Sequence, residues 1–139
     1  MTAPGPSPEA SDDFCRKALD ASLNGVYVYD LNDGRNTFIN AEYTRLTGYD
    51  MAQFAAMDAA AFFSLFHADD HPRISEHLRA LGDAGDGNAM EIEYRFRRAD
   101  GTWIWCLSRD AVFERDAEGS ARSIVGTFLD ISTRKRTES

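Results

Sequence analysis

The sequence predicts an α+β domain, an antiparallel sheet with helices on one face, and three observations carry that prediction. The chain reads as helix, two strands, several short helices and then three strands, and runs of strands broken by one helical block imply antiparallel pairing with the helices gathered on one side. The stretch EYRFRRADGTWIW, from Glu93 to Trp105, is a hairpin: Ile92, Tyr94 and Phe96 alternate with Glu91, Glu93, Arg95 and Arg97, and Trp103, Trp105 and Leu107 alternate beyond the break at Asp100-Gly101. With 139 residues, 43% of them hydrophobic, the chain has the size of one domain and enough apolar side chains for an ordinary core.

Residues 1–11 mix Pro, Ser, Ala and Gly without a period and are expected to form a disordered lead or linker, with the domain itself over 12–133. Phe14, Ala18, Leu19 and Leu23 recur at helical spacing behind the candidate caps Ser11, Asp12 and Asp13, and Asn24-Gly25 stops that first helix. VYVYDL follows as a strand with Val26 and Val28 on one face and Tyr27 and Tyr29 on the other, so both faces are expected to be covered. Asp30 to Gly34 make a tight turn into a second strand, NTFIN; the turn lacks the oxygen-ligand spacing and distant bidentate Glu of a calcium loop. Helical pieces come next: AEYTRLTG ending at Gly48, MAQFAAM, AAAFFSLF, and a longer helix from about Asp70 to Leu81. Gly82 to Asn88 read as a flexible loop. Asp100-Gly101 then supplies the positive backbone angles of a tight hairpin turn, Arg115 to Gly119 make another turn, and SIVGTFLDI is the last strand. Residues 134–139 read as the start of a C-terminal signalling helix that is cut off.

Composition excludes several classes of function. Fifteen basic against 23 acidic residues, a formal charge of -8, argue against nucleic acid and against an anionic membrane surface, both of which demand a basic face. No apolar run approaches the roughly 20 residues of a spanning helix, and MTAPGPSPEASDD has neither part of a signal peptide, so a cytoplasmic chain without membrane insertion is expected. Cys15 and Cys106 are far apart in sequence and fit two reduced thiols.

FINAEYTRLTGYD at 38–50, FHADD at 66–70, EYRFRRADGTWIW and the terminal GTFLDIS at 126–132 stand in an order and spacing that resembles a PAS domain, the sensory module of many bacterial signalling proteins, in the branch whose sheet ends in a DIT-like motif. The resemblance covers roughly residues 13–133. It implies a five-stranded antiparallel sheet cupping a helical segment, a small internal cavity, and a homodimer built on the first helix and the outer sheet face. The chain departs from the usual form at FHADD, where Ala68 replaces the Pro after His and a Pro appears at position 72.

Family members that bind haem hold its iron with a His on the long helix, and His77 occupies that helix at the margin of its apolar face, Ile74, Leu78 and Leu81. A histidine on a helix of an acidic protein more often has no special role, and haem is not expected. His67 and His71 stand four apart, but Pro72 places a helix start between them and a metal site is not expected. AEYTRLTGYD lacks the reactive cysteine that a flavin photosensor of this fold needs, and Cys106 beside Trp105 reads as a buried inert thiol. No nucleophile elbow is present, and the Gly-rich loop GDAGDG is acidic and without Lys, so neither catalysis nor phosphate binding is expected.

The expected function is therefore a non-catalytic sensory and dimerisation module relaying a ligand- or partner-induced change to a C-terminal output domain of the parent protein, histidine kinase or diguanylate cyclase being typical. The alternative is a small stand-alone cone-shaped α+β enzyme, with an Asp or His deep in its pocket moving protons, or a haem-binding sensor. Aromatic residues are plentiful enough to close the core, and a closed core is favoured over a ligand-sized cavity. Any ligand is expected to be small and uncharged, held near Tyr43, Leu46, Phe66, Leu78, Tyr94 and Phe128. The dimer is expected to use Phe14 and Leu19 with Tyr27 and Tyr29, and the signal is expected to leave through Asp130, Ile131 and Ser132.

Overall fold

The computed structural model describes residues 17–85 and 87–138. Five strands, β1 (Gly25–Asp30), β2 (Arg35–Ile39), β3 (Met90–Arg97), β4 (Trp103–Arg115) and β5 (Ala121–Asp130), form one sheet in the order β2-β1-β5-β4-β3, and every neighbouring pair is antiparallel. The last strand in sequence thus lies at the centre of the sheet, between the first and the fourth.

Between β2 and β3 the chain breaks into short helices because a side-chain cap recurs every eight to ten residues. Asn40 caps α1 (Ala41–Thr47) and Gly48, at φ 82°, ends it; Asp50 and Gln53 form a capping box on α2 (Met51–Ala55); Asp58 caps α3 (Ala59–Phe63). His67 Nδ1 accepts the Asp69 N–H at 3.2 Å and opens a 3-10 turn, Ala68–Asp70, which runs into α4 (His71–Asp83) with Pro72 in its first turn. A last helix, α5 (Ser132–Glu138), follows β5.

The long helix therefore starts at His71 and continues to Asp83, two residues into the stretch expected to be loop. The hairpin turn also differs from its expected form. Gly101 alone takes a positive angle, φ 88°, while Asp100 stays in the ordinary region and uses its carboxylate to accept from the Thr102 N–H at 2.9 Å. Arg98 N–H donates to the Thr102 carbonyl and Gly101 N–H to the Arg98 carbonyl, so five residues rather than two join β3 to β4.

The core fills the space between the inner sheet face and α1 to α4. Tyr43, Phe54, Phe62, Leu65, Ile74, Tyr94, Phe96, Ile104, Cys106 and Phe128 are buried there as one cluster. Their rings meet edge to face, as with Tyr43 and Phe54 at 5.6 Å and Phe54 and Phe62 at 5.5 Å, the arrangement that ring quadrupoles favour. On the other face Trp103, Phe113 and Leu129 stay about half exposed. Among the described residues no helix is long and apolar enough to cross a membrane.

Asp70 fixes α4 to the sheet. It is 2% exposed, and its carboxylate accepts from the Arg95 N–H, from both arms of the Arg95 guanidinium and from Arg73 Nη2, all within 3.1 Å. Burial alone would push this carboxyl up, but the hydrogen bonds from Arg95 and Arg73 outweigh it and hold the pKa down at about 2.

Candidate functional site

Register across the sheet places the polar centre of the molecule. Tyr27 on β1 and Asp110 on β4 are both partners of Gly126 on β5, so the three lie in one row on one face. Because Gly126 has no side chain, the Tyr27 hydroxyl reaches over β5 and donates to Asp110 Oδ1. A Cβ at position 126 would stand 1.9 Å from that carboxylate oxygen and 2.5 Å from the tyrosine oxygen. Asp110 Oδ2 faces His77 Nε2 of α4 at 2.7 Å, so the carboxylate bridges the centre of the sheet to the long helix. Asp110 is 5% exposed and His77 9%.

Around this bridge lies a cavity of about 60 Å³. Tyr27, Tyr43, Phe62, Phe66 and Tyr94 turn rings toward it, Ile74, Leu78, Ile92 and Ile124 complete the apolar wall, and Asn36, His77 and Asp110 supply the polar groups. Asn36 Nδ2 donates to the Tyr43 hydroxyl at 3.0 Å, and the Tyr94 hydroxyl and Ser108 Oγ share a hydrogen bond of 2.5 Å. Burial raises the pKa of Tyr27, Tyr43 and Tyr94 above the ordinary phenol value, Tyr27 further raised by the Asp110 charge, so all three remain hydroxyl donors at any physiological pH. Burial likewise pushes the Cys106 thiol up, which keeps it unreactive.

Of the expected pocket residues, Tyr43, Phe66, Leu78 and Tyr94 line the cavity; Leu46 packs on the core behind it, and Phe128 stacks its edge on Tyr43 with ring centres 5.1 Å apart without lining it. Tyr27 and Tyr29, expected on the outer face at a dimer interface, lie on the inner face and line the cavity. The register with β5 decides this: it pairs Tyr27 with Gly126 and Tyr29 with Ile124, both inward. Leu19 is half-buried beneath Asn40, whose Nδ2 donates to its carbonyl at 2.6 Å, and Phe14 lies outside the described residues. His67 and His71 point apart in use: His67 caps the 3-10 turn, and His71 stacks on Phe63 at 4.0 Å with Nε2 on the Phe66 carbonyl. Among the described residues no three His, Cys, Asp or Glu side chains converge to hold a metal.

Asp110 was not foreseen. It stands in an ordinary alternation, and the signal that pointed to it was Gly126 inside a strand, since a glycine there marks a close approach of other atoms.

At the exit, Asp130 Oδ1 accepts the Ser132 N–H at 2.9 Å and Oδ2 faces Arg98 Nη2 at 3.2 Å. Ser132 Oγ accepts the Trp105 N–H at 3.0 Å, and the Ile131 N–H donates to the Trp105 carbonyl at 2.8 Å. Arg134 and Lys135 both pair with Glu93, and Lys135 Nζ lies 4.6 Å from the Trp105 ring centre, so α5 leaves the domain against β3 and β4.

The sensor protein FixL of Bradyrhizobium diazoefficiens is 24% identical over 113 residues, which are 81% of this chain and 20% of that protein; the chain spans about a fifth of the length of this curated relative. Among solved structures, the sensory box histidine kinase/response regulator of Burkholderia thailandensis has a TM-score of 0.68 at 22% identity, covering 89% of this chain and 88% of that one. The N-terminal domain of a diguanylate cyclase with PAS/PAC sensor from Marinobacter aquaeolei has a TM-score of 0.63 at 18% identity, covering 81% of this chain and 98% of that one. The family model described as PAS fold matches residues 36–128, from β2 through the cavity strands to Phe128, and with the sheet order and helical cup already described this chain belongs to the PAS family.

Proposed function

We propose that the chain is a non-catalytic sensory and dimerisation module of a cytoplasmic signalling protein, which takes a small molecule into its cavity and relays the change to a C-terminal output domain in the parent protein. One observation carries this reading: β5 is both the floor of the cavity and the strand that runs into the exit helix. Ile124 lines the cavity, Phe128 packs on Tyr27 and Tyr43, and two residues later Asp130, Ile131 and Ser132 make the hydrogen bonds that set the direction of α5. Similarity to a sensor protein, to a sensory box histidine kinase/response regulator and to the N-terminal domain of a diguanylate cyclase supports an output of that kind.

The ligand is small, because the cavity falls well below the roughly 300 Å³ at which pockets for drug-sized molecules begin. It is not an anion, because no Lys or Arg lines the cavity and the one imidazole there, His77, already faces Asp110. The cavity volume and the bond from His77 Nε2 to Asp110 support a ligand other than haem or flavin. The dimer interface is the outer sheet face, where Trp103, Phe113 and Leu129 stand exposed.

In the parent protein, Asp130→Ala is expected to uncouple output from input while the isolated domain loses only about 1 kcal/mol, the worth of one cap. Signal-dependent output as in wild type would show that the junction is a connector only. A stand-alone enzyme is the second reading, favoured by the Tyr27, Asp110 and His77 chain, which contains a His and a carboxylate able to pass a proton.

A further inference from the structure

His77 and Ile92 line the internal cavity and also an open surface groove between α4 and β3, so their side chains form the wall between the two. Glu76, Glu91, Glu93 and Arg73 line that groove, Glu76 paired with Arg79 and Glu93 with Arg134 and Lys135. Beyond the wall stands the Asp110 carboxylate, in a cavity that Tyr27, Tyr43, Phe62, Phe66 and Tyr94 also line. A buried carboxylate in a cavity lined by aromatic rings favours one charge type there. Aromatic rings stabilise a cation after water is stripped away, and Asp110 accepts its N–H groups.

We infer that the cavity ligand is a small organic ammonium, admitted from the α4–β3 groove past His77 and held by Asp110 within the ring of tyrosines and phenylalanines. This rests on the reading of the cavity as the ligand site and names the chemistry of that ligand. Absence of lysine and arginine from the cavity lining disfavours anions and is silent on cations. Size follows from volume: at roughly 10–15 Å³ for each water-sized group, a cavity of about 60 Å³ takes on the order of four or five non-hydrogen atoms. Asp110 is already bonded on both oxygens, yet each carboxylate oxygen has a second lone pair, so an ammonium can join Tyr27 or can replace His77. Replacement would free His77 to swing toward the groove and loosen α4 from the sheet.

The test compares three probes of one shape, n-propylammonium, 1-propanol and propionate, against the full chain at fixed ionic strength, by calorimetry and by amide shifts of Gly126 and its neighbours. The expected order is ammonium, then alcohol, then propionate, with the ammonium at least about tenfold tighter than the alcohol. In Asp110→Asn, checked for folding by circular dichroism, that preference collapses to about one. Should this variant fail to fold, the wild-type order together with shifts centred on Gly126 decides the matter. Equal or tighter binding of the alcohol overturns the ammonium assignment and leaves the small-ligand reading standing. A preference that survives in Asp110→Asn, or ammonium shifts centred elsewhere, also overturns it. If none of the three probes moves the cavity amides, the cavity reading falls together with this one.

Discussion

Tyr27 and Asp110 are hydrogen-bonded across the full width of the strand that separates them, over the backbone of Gly126. Two side chains on strands once removed rarely meet this way, because the residue between them normally fills the gap.

Gly126→Ala should therefore break the bond between Tyr27 and Asp110, since its Cβ would stand 1.9 Å from Asp110 Oδ1. The expected loss is about 2–3 kcal/mol in urea unfolding, the cost of leaving a buried charged acceptor short of a partner. Tyr27→Phe, which removes the hydroxyl without adding bulk, should cost less than Gly126→Ala. Equal stability of Gly126→Ala and wild type would show that the sheet yields there at no cost.

Asp70 makes stability depend on pH at the acid end. Its folded pKa, about 2, lies below the roughly 3.9 of an unfolded aspartate, so its contribution is fully present above pH 4 and is lost as pH falls toward 2. The shift corresponds to about 2 kcal/mol. Urea midpoints of wild type should fall across that window relative to Asp70→Asn, whose own contribution at this site is flat. Parallel curves for the two proteins would assign the acid sensitivity to other carboxylates.

Phe113→Glu with Leu129→Glu should shift sedimentation toward monomer, because these side chains are 57% and 46% exposed on the outer sheet face. Both are remote from the cavity, so thermal unfolding should change little. An unchanged mass would take this face out of the interface.

The purified protein should be colourless, and haem reconstitution should give no Soret band that depends on His77. For His77 to ligate iron through Nε2 it would have to give up Asp110 and open the cavity several-fold. A Soret band that vanishes in His77→Ala would overturn this.

The caps at Asn40, Asp50 and Asp58, the alternation of β3 and the Asp-Gly turn are local signals, and they made the element order and the sheet legible. Large apolar residues of the helical block were legible as cavity lining for the same reason: Tyr43, Phe66 and Leu78 had few other places to go. The facing of β1 was not. Val26 and Val28 look as fit for a core as Tyr27 and Tyr29, and only pairing with a strand about a hundred residues later decides between them. Asp110 was hidden likewise, since nothing local marks a carboxylate in an alternating strand as inward.

Asn40 does more than cap a helix. Its amide accepts from the Val26 and Tyr43 N–H groups and donates to the carbonyls of Leu19 and Asn24, four bonds to three parts of the chain. Leu19 belongs to the segment before the sheet, and Tyr43 stands in the cavity wall. The incoming chain is thus one side chain away from the cavity, as the outgoing helix is one strand away. The segments that precede and follow the sheet are both tied to the wall of one cavity, a front-to-back linkage made through Asn40 on one side and β5 on the other.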